Sequence, residues 1–211
     1  MHPIIIALIV IGILLAAWYL WRTAHRIDKL HRKVVAAKIS LEQQLQRRAA
    51  VSLDLAMSQL LDPASAMMLA SEAYTAIDSA DPIPYPNNPE PTYLEPHYTM
   101  ALTPVSKHRE IAESELSECL RQIFPDAQAV TEIRRHPAGD QLMHRLAAAW
   151  YRAELTRRFY NQAVTDARAA RRHWYVKIFG LAGYAQLPET CNLDDALPPP
   201  IAAAAVTPPK P

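Results

Sequence analysis

Eight histidines, two cysteines and 21 acidic side chains are the residues from which this chain could build a metal site or an acid–base pair. Their spacing builds neither. A helical metal pair needs ligands about four residues apart, so that both leave one face. His25 and His31 face different ways on a helix, and His136 and His144 straddle the break at Pro137-Ala138-Gly139. No His-Glu-x-x-His, Cys-x-x-Cys, Gly-x-Ser-x-Gly or phosphate-loop pattern occurs. Glu113 and Glu118 read as charged seam residues of a helix, and no carboxylate pair is singled out. Cys119 and Cys191 make no disulfide framework, and Cys119 falls among helix-core positions as a small hydrophobe. The expectation is no catalytic residue, no cofactor and no metal.

One group of side chains remains: Arg157, Arg158, Tyr160, Asn161 and Val164. On a helix, Tyr160 would fill a bundle core with its hydroxyl at the rim, and Asn161 would fix helix register. The alternative is a partner-docking face shared with Arg157 and Arg158.

The elements that position these residues are helices. Four glycines in 211 residues leave little for hairpins, and Ala-, Leu- and Arg-rich stretches dominate. Of 18 prolines, seven lie between Pro82 and Pro104 and six between Pro198 and Pro211, so the helical stretches are nearly free of breakers. From Pro3 to Trp21 there is no charge. At about 1.5 Å per residue that run crosses a hydrocarbon core of roughly 30 Å. A cleaved signal peptide fits worse: the start lacks Lys and Arg, and Trp18, Tyr19 and Trp21 suit an interfacial belt rather than a cleavage site. Residues 1–21 are therefore expected to be a transmembrane anchor. The basic collar of Arg22, Arg26, Lys29, Arg32 and Lys33 would face anionic lipid. The charge bias places the N-terminus outside and the remainder in the cytoplasm, as a single-pass protein of the cell membrane.

Beyond the anchor, Ile27, Leu30, Val34, Ala37 and Leu41 form one apolar stripe. Leu45, Ser52, Leu55 and Leu60 continue it after a phase slip near Gln44–Arg48, which permits one rod from about Pro3 to Leu61. Asp62-Pro63 restarts a helix to about Ala80, with Met67, Ala70, Tyr74 and Ile77 on its face. Residues 81–104 form a Pro-rich loop. A third helix over 105–124 buries Ala112, Leu116, Cys119, Leu120 and Ile123. A last helix runs from about Gly139 to Lys177 on Leu142, Leu146, Ala149, Ala153, Tyr160, Val164 and Ala167. Arg157 and Arg171 lie on or beside that stripe and are expected to meet glutamates of the third helix. The predicted fold is all-α: a transmembrane helix continuing into an antiparallel bundle of about four helices over 22–187. A disordered Pro/Ala-rich tail over 188–211 is expected to follow.

The net charge of +1 hides segregation. Residues 22–48 hold eight basic and two acidic side chains, residues 49–132 three and thirteen, and residues 133–177 ten and three. Basic helices pairing with acidic ones along seams, as in coiled coils, is the simplest account. A nucleic-acid surface is not expected, because the acidic segment would repel phosphates.

Several short motifs carry a resemblance. Arg157-Arg158-Phe159-Tyr160-Asn161-Gln162-Ala163-Val164, then Lys177-Ile178-Phe179-Gly180-Leu181-Ala182-Gly183-Tyr184, resembles the C-terminal signature of the bacterial LemA family. Gln44-Leu45-Gln46-Arg47-Arg48 and Phe124-Pro125-Asp126 are similar to two earlier family motifs, and the match spans most of residues 1–187. The chain departs after the Arg pair, where Ala49–Leu55 lacks the family's Pro and carries Asp54 in its Asn place, and the insert 81–104 is longer. The resemblance implies a diverged, membrane-anchored helical bundle without established enzymatic activity, with genes often near those of an HtpX-type membrane zinc protease or of TPM-domain proteins. The expected function is a non-enzymatic interaction or scaffold protein, with a membrane protein partner or homo-oligomer. The alternative is a regulator or accessory subunit of such a protease.

Overall fold

The computed structural model describes residues 2–81, 103–179 and 187–206, without the side chains of residues 2–5, 7, 8, 177 and 203–206. Every regular element among the described residues is a helix. These are α1 (His2–Met57), α2 (Pro63–Asp78), α3 (Lys107–Ile123), α4 (Ala127–Arg134), α5 (Pro137–Arg171), α6 (Trp174–Ile178) and α7 (Pro199–Val206). Among the described residues no helix is long and apolar enough to cross a membrane.

The helix starts are set by side-chain caps. Asp62 Oδ1 accepts from the N–H groups of Ala64 and Ser65 at 3.1 Å, ahead of Pro63. Ser106 Oγ accepts from Arg109 N at 3.1 Å, and Asp126 Oδ1 from Gln128 N and Ala129 N at 2.9 and 3.0 Å. Each satisfies donors that have no partner within the helix. α5 starts on Pro137. There α4 closes tightly on α5: a Cβ on Gly139 would sit 2.1 Å from the Ile133 carbonyl oxygen, so only glycine fits.

α1 is the spine. α5 lies antiparallel along it: Arg145 pairs with Asp54 at 2.7 Å near one end, and Lys33 with Asp166 at 3.3 Å near the other. α2 turns back along α1, and α3 turns back along α2. The upper half is thus a four-helix bundle closed by α4 and α7, and the lower half is essentially α1 against α5. Two apolar cores match this division. The upper one centres on Leu55, Leu69, Leu116, Leu120, Phe124, Leu146 and Trp150. The lower centres on Val34, Leu41, Leu45, Tyr160, Val164 and Ala167.

Four expectations need correction. The stripe on α1 has no phase slip: Leu41, Leu45, Arg48, Ser52 and Leu55 are all buried at steps of three and four, and Arg48 is the core position that a search for apolar residues skips. α2 buries Leu69, Ala73 and Ala76, while Met67 and Tyr74 point outward at 77% and 59% exposure. Its alanines let α1 and α3 approach more closely than the bulky face would. α5 ends at Arg171, and α6 restarts at Trp174 so that Tyr175 turns onto Tyr19, ring centroids 5.9 Å apart. The expected disordered tail is instead structured over 187–202: an extended strap, then α7, whose Ile201 is fully buried in the upper core. Of the Pro-rich loop, residues 82–102 lie outside the described ones.

Candidate functional site

The five singled-out residues do not share one face. Tyr160 and Val164 are core residues, at 1% and 0% exposure. Arg158 points outward and, among the described residues, pairs with Glu154, one turn back on its own helix. Arg157 and Asn161 sit at the core's edge and hold the strap.

The strap lies in the groove between α3 and α5 and is read through its backbone. The Tyr160 hydroxyl donates to Glu189 O at 2.9 Å. Asn161 makes a two-way pair with Cys191: Nδ2 donates to its carbonyl at 2.9 Å, and Oδ1 accepts from its N–H at 2.8 Å. Arg157 grips the Asp195 carboxylate through Nε and Nη2 at 2.6 and 2.8 Å, which holds the guanidinium above its usual pKa. Trp150 Nε1 donates to Asp195 O at 2.7 Å. From α3, Glu110 Oε1 accepts from Asn192 N at 2.8 Å, Ser117 Oγ donates to Asp194 O at 2.6 Å, and Arg121 pairs with Asp194 at 2.6 Å. Arg157 therefore meets an aspartate of the strap, not the α3 glutamates expected opposite it. Burial pushes the Cys191 thiol up to about 12 and the Cys119 thiol up to about 11, so both are unreactive at neutral pH.

Of the α3 carboxylates, Glu113 serves a second cluster that sequence reasoning missed. Glu113, Arg48 and Arg109 are fully buried, and Glu42 is 3% exposed. Glu113 bonds Arg48 directly and lies 2.9 Å from Arg109 Nη1, whose Nη2 lies 3.0 Å from Glu42 Oε1. Arg109 also donates to the Ala76 carbonyl and, at 3.3 Å, to Ser79 Oγ, so it caps the C-terminus of α2. Lys38 and Asp81, 3.5 Å apart, extend the cluster to three charges of each sign. Arg48 Cζ stands 4.4 Å over the Trp150 ring. Burial, against the opposing pull of Arg109, pushes Glu42 up to about 7. The sequence signal was phase: Arg48 and Glu113 fall on the core stripes of α1 and α3.

This cluster pins helices; it does not open onto a reactant. Oε1 of both Glu42 and Glu113 is sealed from solvent, as are Nε of Arg48 and of Arg109. Among the described residues no group of three His, Cys, Asp or Glu side chains is placed to hold a metal. An open cavity of about 830 Å³ is lined by Arg47, Arg135, Arg145 and Arg152, with Arg134 tied to Asp140 at 2.5 Å. His31 is buried, and burial together with Arg171 lowers its pKa. The collar residues Arg22, Arg26, Lys29, Arg32 and Lys33 are all exposed around the lower end of α1.

No family model matches the chain, and no curated protein or solved structure matches it.

Proposed function

We propose that the chain is a membrane-anchored, non-enzymatic scaffold of LemA type, with its helical bundle on the basic, cytoplasmic side. The observation that carries this reading is the bare lower end of α1. Ile9, Ile11, Ile13, Leu14, Leu15, Trp18 and Trp21 are each more than half exposed. Such a helix, apolar all round and unpacked, needs an apolar medium. The described side chains of this segment are Ile6 and those from Ile9 onward, whereas the uncharged run in the sequence begins at Pro3. The exposed collar immediately above it suits the anionic headgroups of a cytoplasmic leaflet.

Support for the scaffold part is the character of the buried polar groups. Among the described residues, Arg48, Arg109, Glu113 and Glu42 tie helix to helix, and Arg157, Asn161, Glu110 and Ser117 tie helix to strap. The strap also moves the docking face: with Arg157 and Asn161 engaged, the outward side of α5 offers Arg158, Tyr151 and Phe159, the last two at 63% and 60% exposure. Homo-oligomers or a membrane protein partner are the expected associates.

The test is purification from native membranes in mild detergent after an alkaline wash, alongside a Tyr151→Ala/Phe159→Ala variant. The chain is expected to stay in the washed membranes and to elute with a stoichiometric partner or with itself, the association weakening in the variant. Release by the wash would overturn the anchor, and a clean monomer would overturn the scaffold.

A further inference from the structure

The lower end of the molecule carries a second apolar surface besides α1. In α6 and the turn after it, Trp174, Ile178 and Phe179 are 69%, 70% and 55% exposed. Trp174 and Ile178 are one helical turn apart and share a face. Tyr175 and Val176 point the other way, Tyr175 to Tyr19 and Val176 into a buried position. The Tyr19–Tyr175 contact fixes the height: α6 lies level with Trp18, Tyr19 and Trp21, the aromatic end of the apolar segment. Between the two helices is an open cavity of about 940 Å³, lined among others by Trp21, Arg22, Arg26, His173 and Tyr175. Arg168 and Arg172, both exposed, bring further positive charge to the same end.

We propose that α6 and Phe179 form a foot that dips into the interfacial layer of an anionic bilayer, with Trp174, Ile178 and Phe179 among the upper acyl chains and the arginines at the headgroups. This rests on the membrane-anchor reading of α1 and adds a second, independent contact. Two arguments select lipid as the occupant. The surface is continuous with the apolar segment of α1, at the height where Trp and Tyr partition to the interface. Its rim is basic, which complements anionic headgroups. A single anchoring helix leaves a protein free to swivel and lean; a second contact fixes the bundle's tilt and rotation relative to the bilayer plane.

The full chain, reconstituted in phosphatidylcholine/phosphatidylglycerol bilayers, tests this by tryptophan quenching with lipids brominated high on the acyl chains. Its four tryptophans are Trp18, Trp21, Trp150 and Trp174. Trp150 is fully buried in the upper core and gives a constant background. The W18F/W21F variant is expected to be quenched, and the further W174F change to abolish that quenching. Replacing phosphatidylglycerol by phosphatidylcholine is expected to weaken the Trp174 signal at least about twofold. Quenching of Trp18 and Trp21 in the W174F variant, with none in W18F/W21F, would overturn the foot while leaving the anchor standing. Absence of quenching in every variant would overturn the anchor and the foot together. Quenching of Trp174 indifferent to anionic lipid would remove the arginines from the proposal. Thermal melts of each variant check that the bundle is intact.

Discussion

On the face of Trp150 lies Arg48, a guanidinium sealed between helices; at its edge lies Asp195, an aspartate of an extended strap. The two ionic clusters meet at one indole and are built differently. The inner one joins α1, α2 and α3 through Arg48, Arg109 and Glu113, all fully buried, and Glu42 at 3% exposure, with Lys38 and Asp81 at its edge. The outer one joins the strap to α5 with Arg157 and Asp195 side chains 20% and 11% exposed. Desolvation decides what each does. Buried charges cost several kcal/mol apiece to strip of water, so the inner cluster holds only while every partner is present. The outer cluster keeps some hydration and relies on hydrogen bonds to strap backbone, each contributing about 1 kcal/mol. The inner cluster specifies which helices meet; the outer one closes a groove.

Removing one inner carboxylate should break the comparison hardest. Glu113→Ala strands Arg48, leaves Arg109 with Glu42 as its one carboxylate within the cluster, and is expected to cost about 3–5 kcal/mol in a urea melt. A loss below about 1 kcal/mol would show that water reaches the cluster.

Acidity separates the two clusters next. Glu42 has a folded pKa of about 7 against an ordinary value of 4.5, so the folded chain holds that proton more tightly than the unfolded one. The associated stability, on the order of 3 kcal/mol, is full below the unfolded value and is lost as pH rises through about 7. Glu42→Gln should flatten this part of the stability–pH profile between pH 4.5 and 7. A variant with the same slope as the parent would assign the pH dependence elsewhere.

A smaller, local effect is expected at the strap. Asp195→Ala should cost about 1–3 kcal/mol and chiefly free the segment. Amide exchange at Cys191, Asn192 and Asp194 should accelerate while α2 and α3 keep their protection. Global unfolding at the same rate would merge the two clusters into one cooperative unit. Smallest of all, Arg158→Ala should change stability by less than about 0.5 kcal/mol, since Arg158 is itself exposed and its partner Glu154 lies one turn back on the same helix.

The helices were largely legible because apolar periodicity and caps act locally. Asp62-Pro63 marks the start of α2, and the stripe from Ile27 to Leu41 marks the buried face of α1. What escaped was whatever broke the link between polarity and exposure. Arg48 and Glu113 read as surface residues by type, although their phase put them in the core. On α2 the bulkier side chains drew attention, yet space between close helices went to Leu69, Ala73 and Ala76. The break between α5 and α6 has no Gly or Pro to announce it. The strap was illegible for another reason: its bonds run from side chains to backbone carbonyls and amides, which every residue carries. Of the candidate residues, Tyr160 is a core ring with its hydroxyl at the rim, as its place on the stripe suggests, whereas Asn161 fixes the chain's own strap rather than helix register.

α1 runs without interruption from the apolar segment to the turn before α2. From Trp21 to Met57 it spans about 54 Å at 1.5 Å per residue. It is therefore a ruler. Wherever the Trp21 level is held, the α1–α2 turn at the top of the bundle stands off by that length, and anything that grips it must reach that height. The antiparallel α5 stiffens most of the shaft, so a sideways pull at the top is delivered to the base as leverage rather than absorbed by a hinge.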